Sequence, residues 1–245
     1  MKKWVIYTAL FGDYDYLKDP DESVEEFDLI CFTDQANLKS DVWKVVYVPA
    51  SDKYSARMNR KYKLLPHLFL RDYEVSIYID VSIRVLKSPT ALVSEILKSN
   101  DIILSKHKLR DCIYEEAREC VIFRKADYSA TVDQIRRYRE EGFPRHFGLY
   151  ENGVLIRRHN SPQLIRLMEQ WWEEYNRGSF RDQLSLPYIL WKNDISFPIS
   201  IHSSNDGVYF NLFPHKKEEM DRWEKLQLSL TIRLRRLYYS FFSFG

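Results

Sequence analysis

The run Ile77-Tyr78-Ile79-Asp80-Val81-Ser82-Ile83-Arg84-Val85 sets one acidic residue between two apolar stretches. A carboxylate at the end of a buried strand is costly unless it meets a cation, a donor or water, so Asp80 is the strongest candidate for a metal site. Side chains repeat every second residue along a strand, and a D-x-D pair would put two carboxylates on one side, where they hold a divalent ion across a diphosphate. Here the second position is Ser82, whose hydroxyl ligates hard cations more weakly. Two other places follow apolar runs in the same way. Residues 8–15, T-A-L-F-G-D-Y-D, offer Gly12 for a turn and Asp13 and Tyr14 to meet a base or ribose, although an ordinary turn has the same signature. Cys31-Phe32-Thr33-Asp34 ends on a carboxylate that can accept from a base N–H or cap a helix. His107, Arg110, Tyr114 and Glu115 form a denser polar cluster, suited to an acceptor or sugar and equally to a surface salt-bridge network.

Such residues need a sheet to present them. Trp4–Leu10, 29–33, 42–48, Val75–Ile79 and 102–105 are short apolar, β-branched runs. Being apolar throughout rather than alternating, they suit strands buried on both faces, and the helical patterns between them imply a mostly parallel sheet. Ligands of such a sheet bind beyond the carboxyl ends of its strands. Across 55–70, helical spacing puts Met58, Tyr62, Leu65 and Phe69 on one face and Arg57, Arg60, Lys61 and Lys63 on others, with Pro66 kinking or ending the helix. The clearest helix starts at Pro162 with Ser161 as cap, carries Leu164, Leu167, Met168, Trp171 and Tyr175 as core, and stops at Gly178. In 130–141, Arg136, Arg137 and Arg139 read as a solvated helix face. From 222 to 236, Leu226, Leu230, Leu234 and Leu237 make one stripe with Arg233, Arg235 and Arg236 nearby, followed by Tyr238, Tyr239, Phe241, Phe242 and Phe244. Cations beside exposed rings suit an interfacial membrane contact; a helix packed back on the domain, or a dimer contact, gives the same pattern.

The totals narrow the classes. With 245 residues, 45% of them apolar, the chain can bury one large core, and no repeat or low-complexity tract interrupts it. The 37 basic and 35 acidic residues leave a formal charge of +2, too little for the broad basic field of a nucleic-acid binder, so no nucleic-acid partner is expected. Cys31, Cys112 and Cys120 are odd in number and lack C-x-x-C spacing, which favours reduced structural thiols and a cytoplasmic setting over a disulfide or zinc framework. The opening residues read as a first strand rather than a leader, and no apolar run approaches the roughly 20 residues of a spanning helix.

The segment 55–86, with S-A-R-M-N-R-K-Y-K-L-L-P-H-L-F followed by I-Y-I-D-V-S-I-R-V-L, resembles the core of family-8 retaining glycosyltransferases, which carry a similar helix before a Y-L-D-x-D strand. Y-E-N-G-V-L-I at 150–156 is similar to their F-N-x-G-V strand, and R-D-Q-L at 181–184 to their D-Q-D segment. Closer still is the resemblance of Y-T-A-L-F-G-D-Y-D, H-K-L-R-D-C-I-Y-E-E-A and R-D-Q-L-S-L-P-Y-I-L-W-K to a glycosyltransferase-like domain linked to plant mucilage and bacterial polysaccharide clusters. The likeness spans about residues 7–192. It implies a GT-A type α/β fold, Rossmann-like, in a domain of residues 1–215, with 216–245 as an amphipathic basic and aromatic tail.

The resemblance further implies transfer of a sugar, with retention, from a nucleoside diphosphate, UDP-sugars being favoured, to a glycan or lipid-linked acceptor. It places Thr8, Asp13, Tyr14 and Asp34 near the nucleotide, Arg57 and Lys63 near phosphates, and Asp80 at the metal or diphosphate. Asn152 then faces the sugar, with Asp182 and Gln183 beside the anomeric carbon. A divalent cation, Mn²⁺ or Mg²⁺, would be held by Asp80, Ser82 and His202, although the K-P-W surroundings of the family-8 histidine are missing. The alternative is a non-catalytic nucleotide-sugar or glycan binder in an assembly complex: the degenerate D-x-S favours it, and the retained Asp182, Gln183 and Asn152 oppose it. The expected location is cytoplasmic, with peripheral contact at the inner face of the membrane.

Overall fold

The computed structural model describes residues 3–99, 101–196, 199–200, 205–215 and 222–240. Its elements begin with β1 (Trp4–Leu10), β2 (Phe27–Thr33), β3 (Lys44–Tyr47), α1 (Ser55–Leu64), β4 (Val75–Ile79) and β5 (Ile83–Val85). There follow α2 (Thr90–Ser99), β6 (Ile102–Lys106), α3 (Ile113–Ile122), α4 (Tyr128–Glu140) and β7 (Tyr150–Arg157). The remainder is α5 (Pro162–Arg177), α6 (Asp182–Lys192), β8 (Ile199–Ser200), β9 (Phe210–Leu212) and α7 (Arg222–Ser240). The chain forms two compact units, one of Met1–Lys106, Glu151–Trp172 and Phe197–Lys217, the other of His107–Tyr150, Glu173–Ser196 and Glu218–Gly245.

The first unit is organised by a seven-stranded sheet in the order β3-β2-β1-β4-β7-β6-β8. β1 runs parallel to β2 and β4, β2 to β3 and β6 to β8, while β7 is antiparallel to β4. This is the α/β fold with a mostly parallel, helix-flanked sheet that the apolar runs imply. Strand parity divides the residues between two faces. Ile6, Leu10, Phe27, Cys31, Ile77, Ile79, Ile103, Val154 and Ile156 share a cluster with Leu92, Val93 and Ile96 of α2, so that side of the sheet is aliphatic. On the other side Tyr7 meets Tyr78 edge-on at 5.3 Å, and Phe32 packs on Tyr62 of α1 at 4.6 Å. Arg157 is fully buried there and donates to the Tyr7 hydroxyl at 2.5 Å, while Tyr7 lies 3.2 Å from the Tyr62 carbonyl. Burial pushes the Tyr7 phenol up to about 12 against the pull of Arg157.

Helix α1 stops at Leu64, short of the predicted 70, because Pro66 has no N–H to continue the ladder; a single 3-10 turn, Pro66–Leu68, follows. α5 starts at Pro162 as predicted, but the Ser161 hydroxyl donates to Asp101.

In the second unit Asp127 caps α4 by accepting from the Ala130 N–H at 2.9 Å. Tyr138 and Tyr188 stack at 3.9 Å beside Phe143 and Trp191, and this aromatic cluster is the centre of the unit. Arg137 corrects the reading of α4 as carrying three solvated arginines. It pairs with the buried Glu174, which also accepts from Tyr138 at 2.7 Å, whereas Arg136 is exposed beside Asp133. A Cβ at Gly178 would sit 2.6 Å from the Gln134 amide and displace it from its bonds to the Ser179 N–H and the Tyr138 hydroxyl. α7 lies on α3 through Arg235, which donates to the Ile122 carbonyl, and Arg236, paired with Glu119. Cys31, Cys112 and Cys120 are all free thiols and buried.

Candidate functional site

β4 ends at Ile79, and the next residue, Asp80, is anchored by its N–H to the Gly153 carbonyl of β7 at 2.8 Å. A tight turn, Ile83 N–H to Asp80 carbonyl at 2.8 Å, carries the chain into β5. β5 pairs antiparallel with β9, and the Phe213 N–H extends the ribbon to the Ser82 carbonyl. That ribbon delivers His215 to the carboxyl end of β4. A cavity of about 310 Å³ results, lined by Tyr14, Ser55, Ala56, Asn59, Arg60, Asp80, Val81, Ser82 and His215. A larger hollow of about 760 Å³, lined by Pro20, Glu22, Phe27, Asp28, Lys44 and Tyr73, lies where β2 and β3 begin, the end of the sheet that does not bind ligands in open α/β folds.

The 310 Å³ cavity is floored by a chain of polar contacts. Tyr78 donates to Asp80 Oδ1 at 2.9 Å, and the Lys63 ammonium, 1% exposed, lies 3.5 Å from the same oxygen and 5.1 Å above the Tyr78 ring. Asn59 donates to the Ala9 carbonyl and accepts from Arg60, both at 2.5 Å, which aims the Arg60 guanidinium along the wall. Burial, reinforced by the Asp80 carboxylate, holds the Tyr14 and Tyr78 phenols well above their usual range, so both act as neutral donors. The first turn of α1 holds no acidic residue, and Tyr54 at its N-cap makes no side-chain capping bond. Its amino end, at Ser55 and Ala56, brings the positive pole of the helix to the cavity, with Asp52 just upstream accepting the Tyr54 N–H at 2.9 Å. Helix terminus, guanidinium and phenol together form a receptacle for an anion.

The predicted site residues distribute as follows. Tyr14, Asp80 and Ser82 line the cavity and Lys63 lies beneath it. Arg57 turns to Asp52 at 3.1 Å and to the Trp172 ring at 6.0 Å, and Arg60 stands at the cavity in its place. Asp34 accepts the Gly12 N–H at 2.9 Å, with Gln35 donating to the Gly12 carbonyl at 2.7 Å, so it fixes the turn that carries Tyr14. Gly12 is needed at that turn: its φ is +74°, and a Cβ would come within 3.1 Å of Ser55. Asp13 faces a separate hollow with Asp15, Asp19 and Lys39. Thr8 is buried within β1 and does not line the cavity. Asn152, next to the Gly153 that holds Asp80, is 5% exposed, and neither its Oδ1 nor its Nδ2 has a hydrogen-bond partner among the described residues.

In the second unit, Asp182 is buried in the first turn of α6, and Gln183 donates to the Tyr150 carbonyl at 2.9 Å. Arg110 is paired with Glu116 at 2.6 Å, Tyr114 donates to the Phe143 carbonyl at 2.7 Å, and His107 Nδ1 accepts from the Arg110 N–H at 3.0 Å. Three of the four members of that polar cluster thus serve their own unit's architecture. Glu115 lies instead with Cys112 and His146.

Among the described residues, the donors around Asp80 do not by themselves make up a divalent-ion site. Asp80 is the one carboxylate among the described lining residues, and Lys63 already offsets it. Asp15 is committed to Lys18 at 2.8 Å and to His215 at 2.5 Å. Burial would raise its carboxyl, but these donors and the Tyr16 N–H outweigh that and hold it below the usual range. Among the described residues no three His, Cys, Asp or Glu donors converge at this cavity. His202, the third predicted ligand, lies outside the described residues.

His215 and Arg60 are the ionisable lining residues that sequence reasoning did not assign to the site, and Asn59 is a polar one. His215 sits just past a three-residue strand too short to show a period, while Arg60 was visible as one of four cations on the 55–70 helix.

One solved structure, the crystal structure of mouse Xyloside xylosyltransferase 1 in its apo form, aligns over 83% of this chain and 85% of its own, with a TM-score of 0.44 and 12% identity. No curated protein sequence matches the chain. The model of the TOD1/MUCI70 glycosyltransferase-like domain matches residues 1–220, which covers every element through β9 and leaves α7 beyond it. By that match the chain belongs to the TOD1/MUCI70 family of glycosyltransferase-like domains.

Proposed function

We propose that this protein is a GT-A type glycosyltransferase that moves a sugar, with retention, from a nucleoside diphosphate to a hydroxyl acceptor in glycan or surface-polysaccharide synthesis. The observation that carries the reading is the anion receptacle at the carboxyl end of β4, where Arg60, Tyr14 and the amino end of α1 line one cavity with Asp80. The diphosphate would sit against Arg60 and the α1 terminus, with Lys63 offsetting Asp80 below. Negative charge building on the leaving phosphate meets donors already in place, which is the largest usual source of acceleration in such transfers. Asn152, a buried amide with no hydrogen-bond partner among the described residues, supports a role in binding a sugar hydroxyl, since leaving it unsatisfied costs about 1–3 kcal/mol.

By its likeness to the D-Q segment, Asp182 would orient donor hydroxyls. Gln183 is too weak a nucleophile for a covalent intermediate, so attack is from the front face. The bond from the anomeric carbon to the phosphate oxygen breaks, the acceptor oxygen bonds to that carbon, and the acceptor proton passes to the departing phosphate. A thermal-shift screen of nucleoside diphosphates and their sugars, UDP-sugars first, tests the binding half, because a ligand of the native state raises its stability by mass action. Asp182→Asn is expected to keep that shift and lose transfer; undiminished transfer would remove its role. Binding in the wild type without transfer to any hydroxyl acceptor would favour the non-catalytic reading.

The same reading includes peripheral contact with an anionic membrane. Among the described residues no helix is long and apolar enough to cross a membrane. α7, however, turns Arg235 and Arg236 toward α3 and leaves Trp223, Leu230, Leu234, Leu237 and Tyr238 exposed, an apolar stripe with rings near both ends. Co-sedimentation with phosphatidylserine vesicles that survives Leu230→Asp with Leu234→Asp would refute the contact.

A further inference from the structure

We infer that the second unit holds a zinc site of its own, made by Cys112, Glu115 and His146. One ligand atom from each of these residues lies within 4.8 Å of the other two. Cys112 is the N-cap of α3, with an extended backbone (φ −120°, ψ 121°) and no side-chain capping bond, so its buried thiol is not employed as a cap. Glu115 follows three residues later, which on a first helical turn brings its carboxylate over the same side. His146 comes from the connection between α4 and β7.

Two features show that the imidazole is held in place rather than carried there by chance. His146 has φ +58°, a left-handed conformation that costs a non-glycine residue about 1 kcal/mol or more and persists where the surroundings demand it. Its Nδ1 lies 2.7 Å from Asp111 Oδ1, and the Asp111 carbonyl accepts the Gly148 N–H at 3.0 Å, so one residue grips the connection at two points. A carboxylate on the imidazole is the usual companion of a metal-ligating histidine, fixing tautomer and ring orientation.

Thiol, imidazole and carboxylate are the donor mixture of zinc. Manganese and magnesium prefer all-oxygen shells, and copper(I) prefers more sulfur. Binding would convert the Cys112 thiol to thiolate with release of its proton. Glu115 and His146 are solvent-exposed, so a fourth position on the ion would face water. The ion would fasten the start of α3 to the α4–β7 connection. This inference does not depend on the glycosyltransferase reading, and its test does not use transfer.

The full chain, stripped with chelator and dialysed, is titrated with Co²⁺, which reports thiolate ligation by a sulfur-to-cobalt charge-transfer band. One Co²⁺ per chain is expected, with the band bleached by Zn²⁺. Asp111→Asn should weaken the binding about 10–100-fold. Cys112→Ser should abolish the band, and Cys31→Ser should leave it intact. If Cys112→Ser does not fold, His146→Ala, which keeps the thiol, carries the test through loss of stoichiometric binding. No thiolate band at saturating Co²⁺, or an undiminished one in Cys112→Ser or His146→Ala, would overturn the site.

Discussion

The two faces of the central sheet are built to different ends. Toward α2 the strands present Ile6, Leu10, Ile77, Ile79, Val154 and Ile156, a mainly aliphatic layer whose energy comes from area removed from water. Toward α1 the same strands present Tyr7, Tyr78 and Arg157, joined to Asn59 and Lys63 in a buried polar network whose members satisfy one another only in part, the Arg157 Nε having no hydrogen-bond partner among the described residues. The first face supplies stability without address. The second holds Asp80 at one height beside one cation, and the cavity opens at its end. Alternation along single strands therefore separates the layer that holds the fold together from the polar layer that leads to the cavity.

The largest expected effect breaks the aliphatic face alone. Ile77→Ala removes a fully buried side chain and should cost about 2–5 kcal/mol in urea unfolding, with nucleotide affinity of the folded protein unchanged. A matching loss of affinity would erase the distinction between the faces. Next comes pH, which should act through histidines beside the polar face. Burial lowers His159 to about 4, and it also lowers His67, with Glu169 opposing. Between pH 6.5 and 4 the unfolded chain therefore binds more protons than the folded one, so stability falls as pH drops through that window. For His159 the loss is on the order of 2–3 kcal/mol. His159→Gln should flatten the profile of midpoint against pH, and an unchanged slope would contradict the assignment.

Lys63→Met sharpens the comparison by touching both functions at once. It keeps the buried stem but strips the charge beside Asp80, which is 32% exposed and partly screened by solvent. A modest cost of about 1–2 kcal/mol is expected together with weaker nucleotide binding. Gly12→Ala is expected to be the smallest, about 1 kcal/mol, from its φ of +74° and its approach to Ser55.

What could be read from the sequence follows the same division. β1 and β4 match their apolar runs to the residue, because a strand buried on both faces is interrupted by nothing larger than a hydroxyl, Thr8 in the one and Ser76 in the other. Asp80 was legible because a carboxylate ending such a run has few bland explanations. Arg60 was not separable from Arg57, since both lie off the apolar face of α1 and only the helix's rotation decides which meets the cavity. His215 reaches the cavity through β9, whose turn depends on Asp206 accepting the N–H groups of Val208, Tyr209 and Phe210, a local signal with no long-range address. Cys112 and His146 meet through a connection with left-handed backbone and no recognisable spacing.

The central claim is that side chains and a helix end, rather than a metal, hold the diphosphate. Isothermal titration of UDP and its sugars into chelator-treated protein tests it most directly. Binding should persist without added Mn²⁺ or Mg²⁺ and weaken about 10–100-fold in Arg60→Ala, the worth of hydrogen bonds to a charged group. Binding that appears only on adding a divalent ion, or that is indifferent to Arg60, would contradict it.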